Sequence, residues 1–305
     1  MPYRGDLMIT FKIFGELGNQ MFQWATGIAF AKKNKIEINF EVQPSTVLRI
    51  TEFKTIDDYT STLLLKSKKR ESLIKFVTKK FSGIDSMNFS EKYMMLNYKN
   101  LDFKNNAVFD GYFQSWRYFD SIRREILNGF ELKEPSPTFK ELLKSLPENF
   151  TSVHIRRGAT GAAVLNSSFH GLLDLEYYKN AITLNEKLGG SRNYVIFTDN
   201  PEMAAKTVNS LNLIEFKVIG PKDITSQCEN LHLMSKATSF IGANSSYSWW
   251  AAYLNSNLLT QPIFPRQWYI DPDLSNNDML LPDWLTVGFK KFLNENMIRG
   301  VDFDK

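Results

Sequence analysis

Two adjacent arginines near the middle of the chain are the residues best suited to chemistry. They follow the apolar start of Val153-His154-Ile155-Arg156-Arg157-Gly158, which predicts a strand. A guanidinium group is always charged, and its planar fork of donors matches phosphate oxygens. Because an open α/β sheet binds ligands outside the carboxyl ends of its strands, the pair is a candidate pyrophosphate clamp. Arg156 is the stronger candidate, since Arg157 could instead form a salt bridge at the sheet edge.

A second polar group follows another predicted strand. Asn244, Ser245 and Ser246 stand between that strand and a helix, where hydroxyl groups and free backbone amides can bind phosphate. A helix cap alone would account for one serine. Because parallel strands end at one rim, these residues and the arginines are expected to meet there. The combination favours a phosphate site.

A glycine-containing turn near the start of the chain is a weaker candidate. Gly15-Glu16-Leu17-Gly18-Asn19-Gln20 joins a strand predicted over 8–14 to a helix predicted over 21–33. Such a turn brings backbone donors and the positive helix end beside a ligand. It lacks the lysine and hydroxyl of a P-loop and the spacing of a dinucleotide fingerprint. A plain tight turn explains it equally well.

Two pairs of aspartates are poorly suited to a metal ion. Asp271-Pro272-Asp273 contains a proline and is predicted to lie in a loop, and Asp302-Phe303-Asp304 lies in a terminal tail. Arginine can neutralise a leaving phosphate in place of magnesium. We therefore predict that the protein requires neither a metal nor a cofactor.

The overall composition narrows the class of protein. The 305 residues suffice for two domains, and a net charge of +4 with a sequence pI of about 8.9 is too weak to indicate nucleic acid binding. The single cysteine, Cys228, excludes an internal disulfide and fits a reducing compartment. The sequence shows no apolar signal segment and no stretch of membrane-spanning length. We expect a cytoplasmic protein that could be peripheral to the inner membrane.

The order of predicted elements indicates a doubly wound α/β architecture. A strand over 36–40 follows the first helix, and in the second half strands and helices alternate: strands over 151–155, 194–198, 216–219, 239–242 and 258–264, helices over 175–188, 201–211, 230–237 and 246–254. Such alternation predicts a parallel sheet. Three prolines over 133–147 mark the expected hinge, so we predict domains at 1–145 and 146–305.

A basic amphipathic helix is predicted over 63–81. It carries seven lysines and arginines among apolar residues. Such a helix could lie on an anionic membrane surface, although a solvated helix face explains the pattern more simply.

Five motifs resemble, in order, those of the bacterial α-1,2-fucosyltransferases of glycosyltransferase family 11. They are the segments at 15–25 (GELGNQMFQWA), 111–115 (GYFQS), 154–158 (HIRRG), 231–235 (LHLMS) and 244–250 (NSSYSWW). The resemblance covers nearly the whole chain, and HIRRG with NSSYSWW is a specific combination. It implies a GT-B fold, in which two Rossmann-like domains face a cleft. It also implies inverting, metal-independent transfer of L-fucose from GDP-fucose to a galactose-like hydroxyl.

The resemblance also implies residue roles. Arg156 would hold the donor phosphates and assist their departure, and His154 would lie near the guanosine. The remaining donor contacts would be Gly18, Asn19, Gln20, Arg157, Asn230, Asn244, Ser245 and Ser246. Gln23, Tyr112 and Gln114 would contact the acceptor, an oligosaccharide or a lipid-linked glycan of surface polysaccharide or O-antigen synthesis.

The chain departs from the family pattern at three positions. The family usually has an aspartate where Ala159 and Asn230 stand, and Glu16 replaces a glycine. An asparagine can accept a hydrogen bond from a base but brings no charge. These changes leave two alternatives open: the same scaffold with another GDP-linked deoxy sugar, or a non-catalytic protein that binds nucleotides or glycans. The presence of Arg156 together with both serines favours an enzyme.

Three side chains could receive the acceptor proton. Asp199 ends a predicted strand but could instead cap the helix expected from 201. His170 matches a family loop near the cleft and has a usual pKa suited to proton transfer near neutrality, although many loop histidines are merely exposed. Glu16 is the third candidate. A late, dissociative transfer would need little base assistance, and Arg156 would then carry most of the catalysis.

Overall fold

The computed structural model describes residues 9–54, 63–64, 87–90, 98–101, 103, 106–158, 170–271, 274 and 278–293. The chain divides into two compact units, Met1–Lys133 with Asn277–Met279, and Glu134–Asn276 with Leu280–Lys305. The division falls within the proline-containing segment, ahead of the boundary expected at residue 145. Each unit contains a parallel sheet, which confirms the predicted α/β class.

The first unit is built on five parallel strands in the order β3-β2-β1-β5-β4. The strands are β1 (Ile9–Ile13), β2 (Asn39–Val42), β3 (Leu63–Leu64), β4 (Met87–Ser90) and β5 (Ala107–Asp110), and the helices are α1 (Leu17–Asn34) and α2 (Arg123–Gly129). Nearly all of α1 up to Phe30 is buried. Aromatic rings hold this helix to the sheet, with Trp24 stacked on Phe40 at 4.0 Å between centroids.

The helix predicted over 63–81 does not begin at Leu63. Leu63 and Leu64 form β3 and pair with Phe40 and Glu41 of β2. Two apolar residues beside an open strand edge gain backbone partners there, which an isolated first helical turn would lack. Residues 65–81, with the basic side chains, lie outside the described residues.

The second unit is a doubly wound sheet of six parallel strands, as predicted, in the order β12-β11-β10-β6-β8-β9. Its elements are α3 (Pro137–Ser145), β6 (Thr151–Ile155), β7 (Leu172–Leu173), α4 (Leu175–Lys187), β8 (Asn193–Thr198), α5 (Pro201–Asn209), β9 (Glu215–Ile219), α6 (Gln227–Met234), β10 (Ser239–Ile241), α7 (Ser246–Tyr253), β11 (Ile263–Pro265), β12 (Leu285–Val287) and β13 (Phe292–Leu293). The strand predicted over 258–264 is observed as β11, which is shorter. It is not the last strand of this sheet, because β12 follows it in the chain and adds an edge strand.

The central strand β6 has two distinct faces. Val153 and Ile155 pack in a core cluster with Tyr177, Tyr178 and Val208 on α4 and α5. Side chains alternate along a strand, so His154 lies on the opposite face, where its ring is 5.9 Å from that of Tyr247 on α7. Arg156 and Arg157, which follow β6, continue this alternation of side-chain directions.

Within the described part of the chain, no helix combines the length and apolarity needed to cross a bilayer.

Candidate functional site

The turn after β6 is held by a carboxylate from the neighbouring strand. Asp199 follows β8, and its two oxygens accept the backbone N–H groups of Arg157 at 2.7 Å and Gly158 at 2.9 Å. The parallel register aligns Ile155 with Thr198, so the two strand ends arrive side by side. Gly158 has a φ of 77°, a conformation that a glycine adopts without strain. Asp199 therefore fixes the backbone that carries the arginines.

The prediction that Asp199 caps the helix expected from residue 201 is wrong. The N-cap of α5 is Asn200, whose side chain accepts the backbone N–H of Met203 at 3.1 Å. A base at Asp199 would have to give up contacts that shape the turn. Its role as base stays a prediction.

We expect Asp199→Asn to raise the KM for the donor by roughly tenfold, because the new amide nitrogen would face an N–H donor and the turn would loosen. Steady-state kinetics with varied donor concentration measures this effect. Asn200→Ala is the control, since it removes the cap of α5 and should lower stability without changing the donor KM. Equal donor KM values for Asp199→Asn and the wild type would contradict the role of Asp199.

Arg157 is directed into the unit instead of at the rim. Its side chain is 1% exposed. The guanidinium donates to the carbonyl oxygens of Arg156 and Leu173 and, at 2.7 Å, to the hydroxyl of Thr207. It also lies over the ring of Tyr178 at 5.6 Å. Strand alternation places residue 157 on the core side, where its guanidinium contacts groups within the unit. Its contact with the donor phosphates stays a prediction.

Arg156 lies on the opposite side, within electrostatic reach of two histidines. Burial, the largest cause, and the positive charge of Arg156 lower the pKa of His170 to about 3. Burial also lowers the pKa of His154 to about 4, with a further lowering by Arg156 and an opposing effect of Asp199. Both rings are neutral at pH 7, so Arg156 is the cation among these three groups.

His154 faces Tyr247 and Asn230. The ring of His154 is buried, and no described residue forms a hydrogen bond with its Nδ1. The Tyr247 hydroxyl lies 2.7 Å from the carbonyl oxygen of Gln227 and 3.0 Å from Oδ1 of Asn230. Sequence reasoning missed Tyr247, although it stands inside the NSSYSWW motif. The order of the motifs alone did not show that the side chain of Tyr247 lies against both His154 and Asn230.

The buried His154 makes stability depend on pH. Its pKa in the folded protein, about 4, lies below the usual value of 6.5, so the unfolded chain binds the proton more tightly. The free energy of unfolding therefore has its full value above pH 6.5. It decreases by about 3 kcal/mol as the pH falls towards 4, because the unfolded chain takes up the proton first. We expect His154→Gln to reduce the pH dependence of the unfolding free energy, measured by denaturant titration between pH 4 and 7. The same dependence in both proteins would contradict the assignment.

Asn244 organises the loops around His170. Its buried side-chain amide donates to the carbonyl oxygens of His170 at 2.6 Å and Trp268 at 3.1 Å. The ring of His170 lies 4.9 Å from that of Tyr269. The amide of Asn244 is thus occupied by backbone carbonyls, and Asn244 holds the backbone at His170.

The two serines start α7, as expected. Ser245 is the N-cap, and its Oγ accepts the backbone N–H of Tyr247. Ser246 is the first helical residue and is half-buried. The positive end of α7 therefore lies beside the ends of β6 and β10, where an anion is stabilised. Phosphate binding by both serines stays a prediction.

The glycine turn of the first unit is a tight connection between β1 and α1. Gly15 has a φ of 78°, and a Cβ at this position would lie 2.8 Å from Nδ2 of Asn19. The side chain of Glu16 does not cap α1, and its carboxylate pairs with Arg49 at 2.9 Å. Gly18 lies in the first turn of the helix. Glu16 as base would compete with this ion pair.

Two buried glutamines fix the backbone around the turn. Gln20 donates to the carbonyl oxygens of Gly15 and Val47 and accepts the N–H of Arg49. Gln23 accepts the N–H of Phe14 at 2.9 Å and donates to the carbonyl oxygen of Gly111 at 3.1 Å. Both were expected to contact substrates. In the structure their amides position the turn and the segments that follow β1 and β5, and their substrate contacts stay predictions.

Gln114 and Tyr112 lie at the end of β5. Gln114 donates to Oδ1 of Asn19 at 2.8 Å, while no described residue bonds to its own buried Oε1. Burial, and then the charge of Asp110, raise the pKa of the Tyr112 phenol. A carbonyl acceptor such as that of Gln114 and a phenol such as that of Tyr112 can each bond to a sugar hydroxyl. Their contact with the acceptor stays a prediction.

Three features of the sequence analysis lie beyond the described residues. They are Ala159, most of Asp271-Pro272-Asp273, and Asp302-Phe303-Asp304. Within the described ranges, histidine, cysteine, aspartate and glutamate residues form no cluster of three or more that could hold a metal ion. The expected independence of metals stays a prediction.

Comparison with known proteins extends these observations. Residues 2–288 match the family model described as glycosyl transferase family 11. The chain is 29% identical over 303 residues to the O-antigen biosynthesis glycosyltransferase WbnK of Escherichia coli, with 90% of this chain and 98% of that protein covered. It is 25% identical to an α-1,2-colitosyltransferase of Escherichia coli, over 92% and 99% of the two chains. It is also 25% identical to the galactoside 2-α-L-fucosyltransferase Sec1 of Mus musculus, over 94% and 75%.

A solved structure resembles the fold. The glycosyl transferase family 9 protein from Veillonella parvula superposes with a TM-score of 0.50 at 11% identity, covering 96% of this chain and 91% of that chain. This likeness concerns the fold alone. With the two parallel-sheet units it confirms the expected GT-B class.

Proposed function

Because the chain belongs to glycosyltransferase family 11, we propose that it moves L-fucose from GDP-fucose to a hydroxyl group of a galactose-like acceptor, with inversion, in α-1,2 linkage. The two relatives that act in α-1,2 transfer and on a galactoside support this linkage and acceptor class. The relative in O-antigen biosynthesis supports a role in surface polysaccharide synthesis.

The observation that carries the proposal is the position of Arg156 beside two neutral histidines at the end of β6. The acceptor oxygen bonds to the anomeric carbon while the bond from that carbon to the β-phosphate oxygen breaks. The departing GDP gains negative charge, which a guanidinium stabilises most strongly in the transition state. Because His154 and His170 are neutral at pH 7, the cation that meets this charge is Arg156.

We propose that His170 receives the acceptor proton, because the other two candidates, Asp199 and Glu16, are engaged with the turn after β6 and with Arg49. The charge of Arg156 helps to keep the pKa of His170 at about 3 without donor. A bound pyrophosphate offsets that charge and raises the pKa, so His170 becomes a better base in the donor complex. The backbone carbonyl of His170 is held by the amide of Asn244, which supports a defined position of the ring. Arg156 supplies the charge that a magnesium ion would otherwise supply, so the reaction needs no metal or other cofactor.

A second donor is favoured by a specific observation. Ala159 stands where the family pattern has an aspartate, so a donor sugar without the hydroxyl that this carboxylate would meet loses no contact in this chain. The match to a colitosyltransferase shows that relatives of this chain act with another sugar. The second candidate is therefore the same reaction with another GDP-linked deoxy sugar.

We further propose that the acceptor is lipid-linked and that the basic segment over 63–81 brings the cytoplasmic enzyme to the inner membrane surface. Flotation with anionic vesicles tests this step. Absence of binding, with no effect of replacing Lys68, Lys69 and Arg70 by glutamine, would remove its support.

Product analysis tests the proposed function. The protein is incubated with GDP-fucose or GDP-colitose and a panel of β-galactosides, with magnesium or with EDTA, and the products are characterised by NMR. We expect an α-1,2-linked product at equal rates in both buffers. A retained anomeric configuration or a need for magnesium would contradict the mechanism, and tight donor binding without turnover would indicate a binding protein.

A further inference from the structure

The edge strand β9 of the second unit exposes apolar side chains. Ile214, directly before the strand, is 94% exposed, and Phe216 within it is 45% exposed. Among the described strands, β9 pairs with β8 alone and ends the six-stranded sheet. An edge strand offers a row of backbone donors and acceptors, so apolar side chains along it favour pairing with another strand.

The two faces of β9 differ in character. Val218 packs against the core cluster with Leu211 and Leu213, which places Phe216 and Ile214 on the same face. Glu215 and Lys217 lie on the opposite face, where Nζ of Lys217 donates to Oγ of Ser145 on α3. The strand thus presents an apolar row on one face and one charge of each sign on the other.

This pattern is complementary to itself. If two copies pair antiparallel about a two-fold axis at Phe216, Glu215 of each copy lies opposite Lys217 of the other. On the apolar face, Phe216 meets Phe216, and Ile214 meets Val218. A lysine on an edge strand ordinarily discourages pairing, but here the residue opposite Lys217 carries the opposite charge.

We infer that β9 is the interface of a two-fold symmetric dimer, in which a second copy of this chain extends the sheet through antiparallel β9 pairing. A two-fold interface uses the same patch on both copies, so every contact away from the axis occurs twice. The patch belongs to the second unit and uses none of the proposed active-site residues. The dimer is therefore independent of the proposed function.

Charge reversal tests the pairing. Glu215→Lys places two lysine pairs across the axis, and Lys217→Glu places two glutamate pairs there. By sedimentation over a wide concentration series, we expect the wild type to dimerise and each variant to have a dissociation constant raised by about tenfold or more. Ser145→Ala is the control, because it removes the contact of Lys217 with α3 but leaves the cross-strand pairs.

Two further measurements identify the interface itself. The double variant with Glu215→Lys and Lys217→Glu restores opposite charges and should dimerise like the wild type. An equimolar mixture of the two single variants should form a heterodimer, since one carries two lysines and the other two glutamates. A monomeric wild type at all concentrations would overturn the proposal. So would single variants that dimerise as strongly as the wild type.

Discussion

Arg156→Ala is expected to lower kcat by roughly 10²- to 10³-fold, the usual cost of removing one preorganised charge-stabilising donor from an active site. Arg156 is half-buried and follows β6 on the face opposite the core cluster, so truncating it removes no side chain from that core. The folded state should therefore persist. Steady-state transfer kinetics and thermal unfolding of the same preparation measure the two effects.

The histidines provide a second readout for this variant. The charge of Arg156 lowers the pKa of both His154 and His170, so removing it should raise both values towards the usual range. NMR titration of the imidazole protons follows this directly. Arg156→Lys keeps a charge but not the planar fork, and it should recover part of the rate. Full activity of Arg156→Ala, or histidine pKa values that do not move, would contradict the central role of this residue.

Arg157→Ala is expected to destabilise the second unit by about 3 kcal/mol, because the guanidinium satisfies buried oxygens that would lose their partners. These are the carbonyl oxygens of Arg156 and Leu173 and the hydroxyl of Thr207. The truncation also leaves a cavity beside Tyr178. Denaturant unfolding at neutral pH measures the loss.

The two arginines are matched controls for one another. Arg156→Ala should lose activity and keep stability, whereas Arg157→Ala should lose stability first. Arg157→Lys keeps the charge with fewer donors, so its stability should lie between those of the wild type and the alanine variant. If Arg157→Ala unfolds like the wild type but no longer binds the donor, then Arg157 contacts the phosphates and its buried position is not the functional one.

The difference between the arginines could have been foreseen from the sequence. Residues at 153, 155 and 157 share one side of an extended chain, and those at 154 and 156 share the other. Because Val153 and Ile155 are apolar and so are expected to face the core, the side chain of residue 157 is expected on the core side as well. Two adjacent arginines at a strand end therefore cannot both point at one ligand unless the backbone turns between them.

Other parts of the site needed the three-dimensional structure. The strand and helix pattern predicted the doubly wound sheet and the positions of β6 and α7, because local periodicity sets these elements. It did not show that Gln20 and Gln23 bind backbone groups, since their partners include the residues just after β1 and β5 and the 47–49 loop. The strand β3 was also missed, because pairing with β2 decides the conformation of Leu63 and Leu64.

The most direct test of the proposed donor site is a calorimetric titration of the wild type and Arg156→Ala with GDP, UDP, dTDP and GDP-fucose, with and without magnesium. We expect the wild type to bind the GDP compounds selectively and equally well in both buffers, and we expect this binding to be largely lost in Arg156→Ala. Preference for another nucleotide, or binding that survives the substitution, would contradict a GDP-sugar donor held by Arg156.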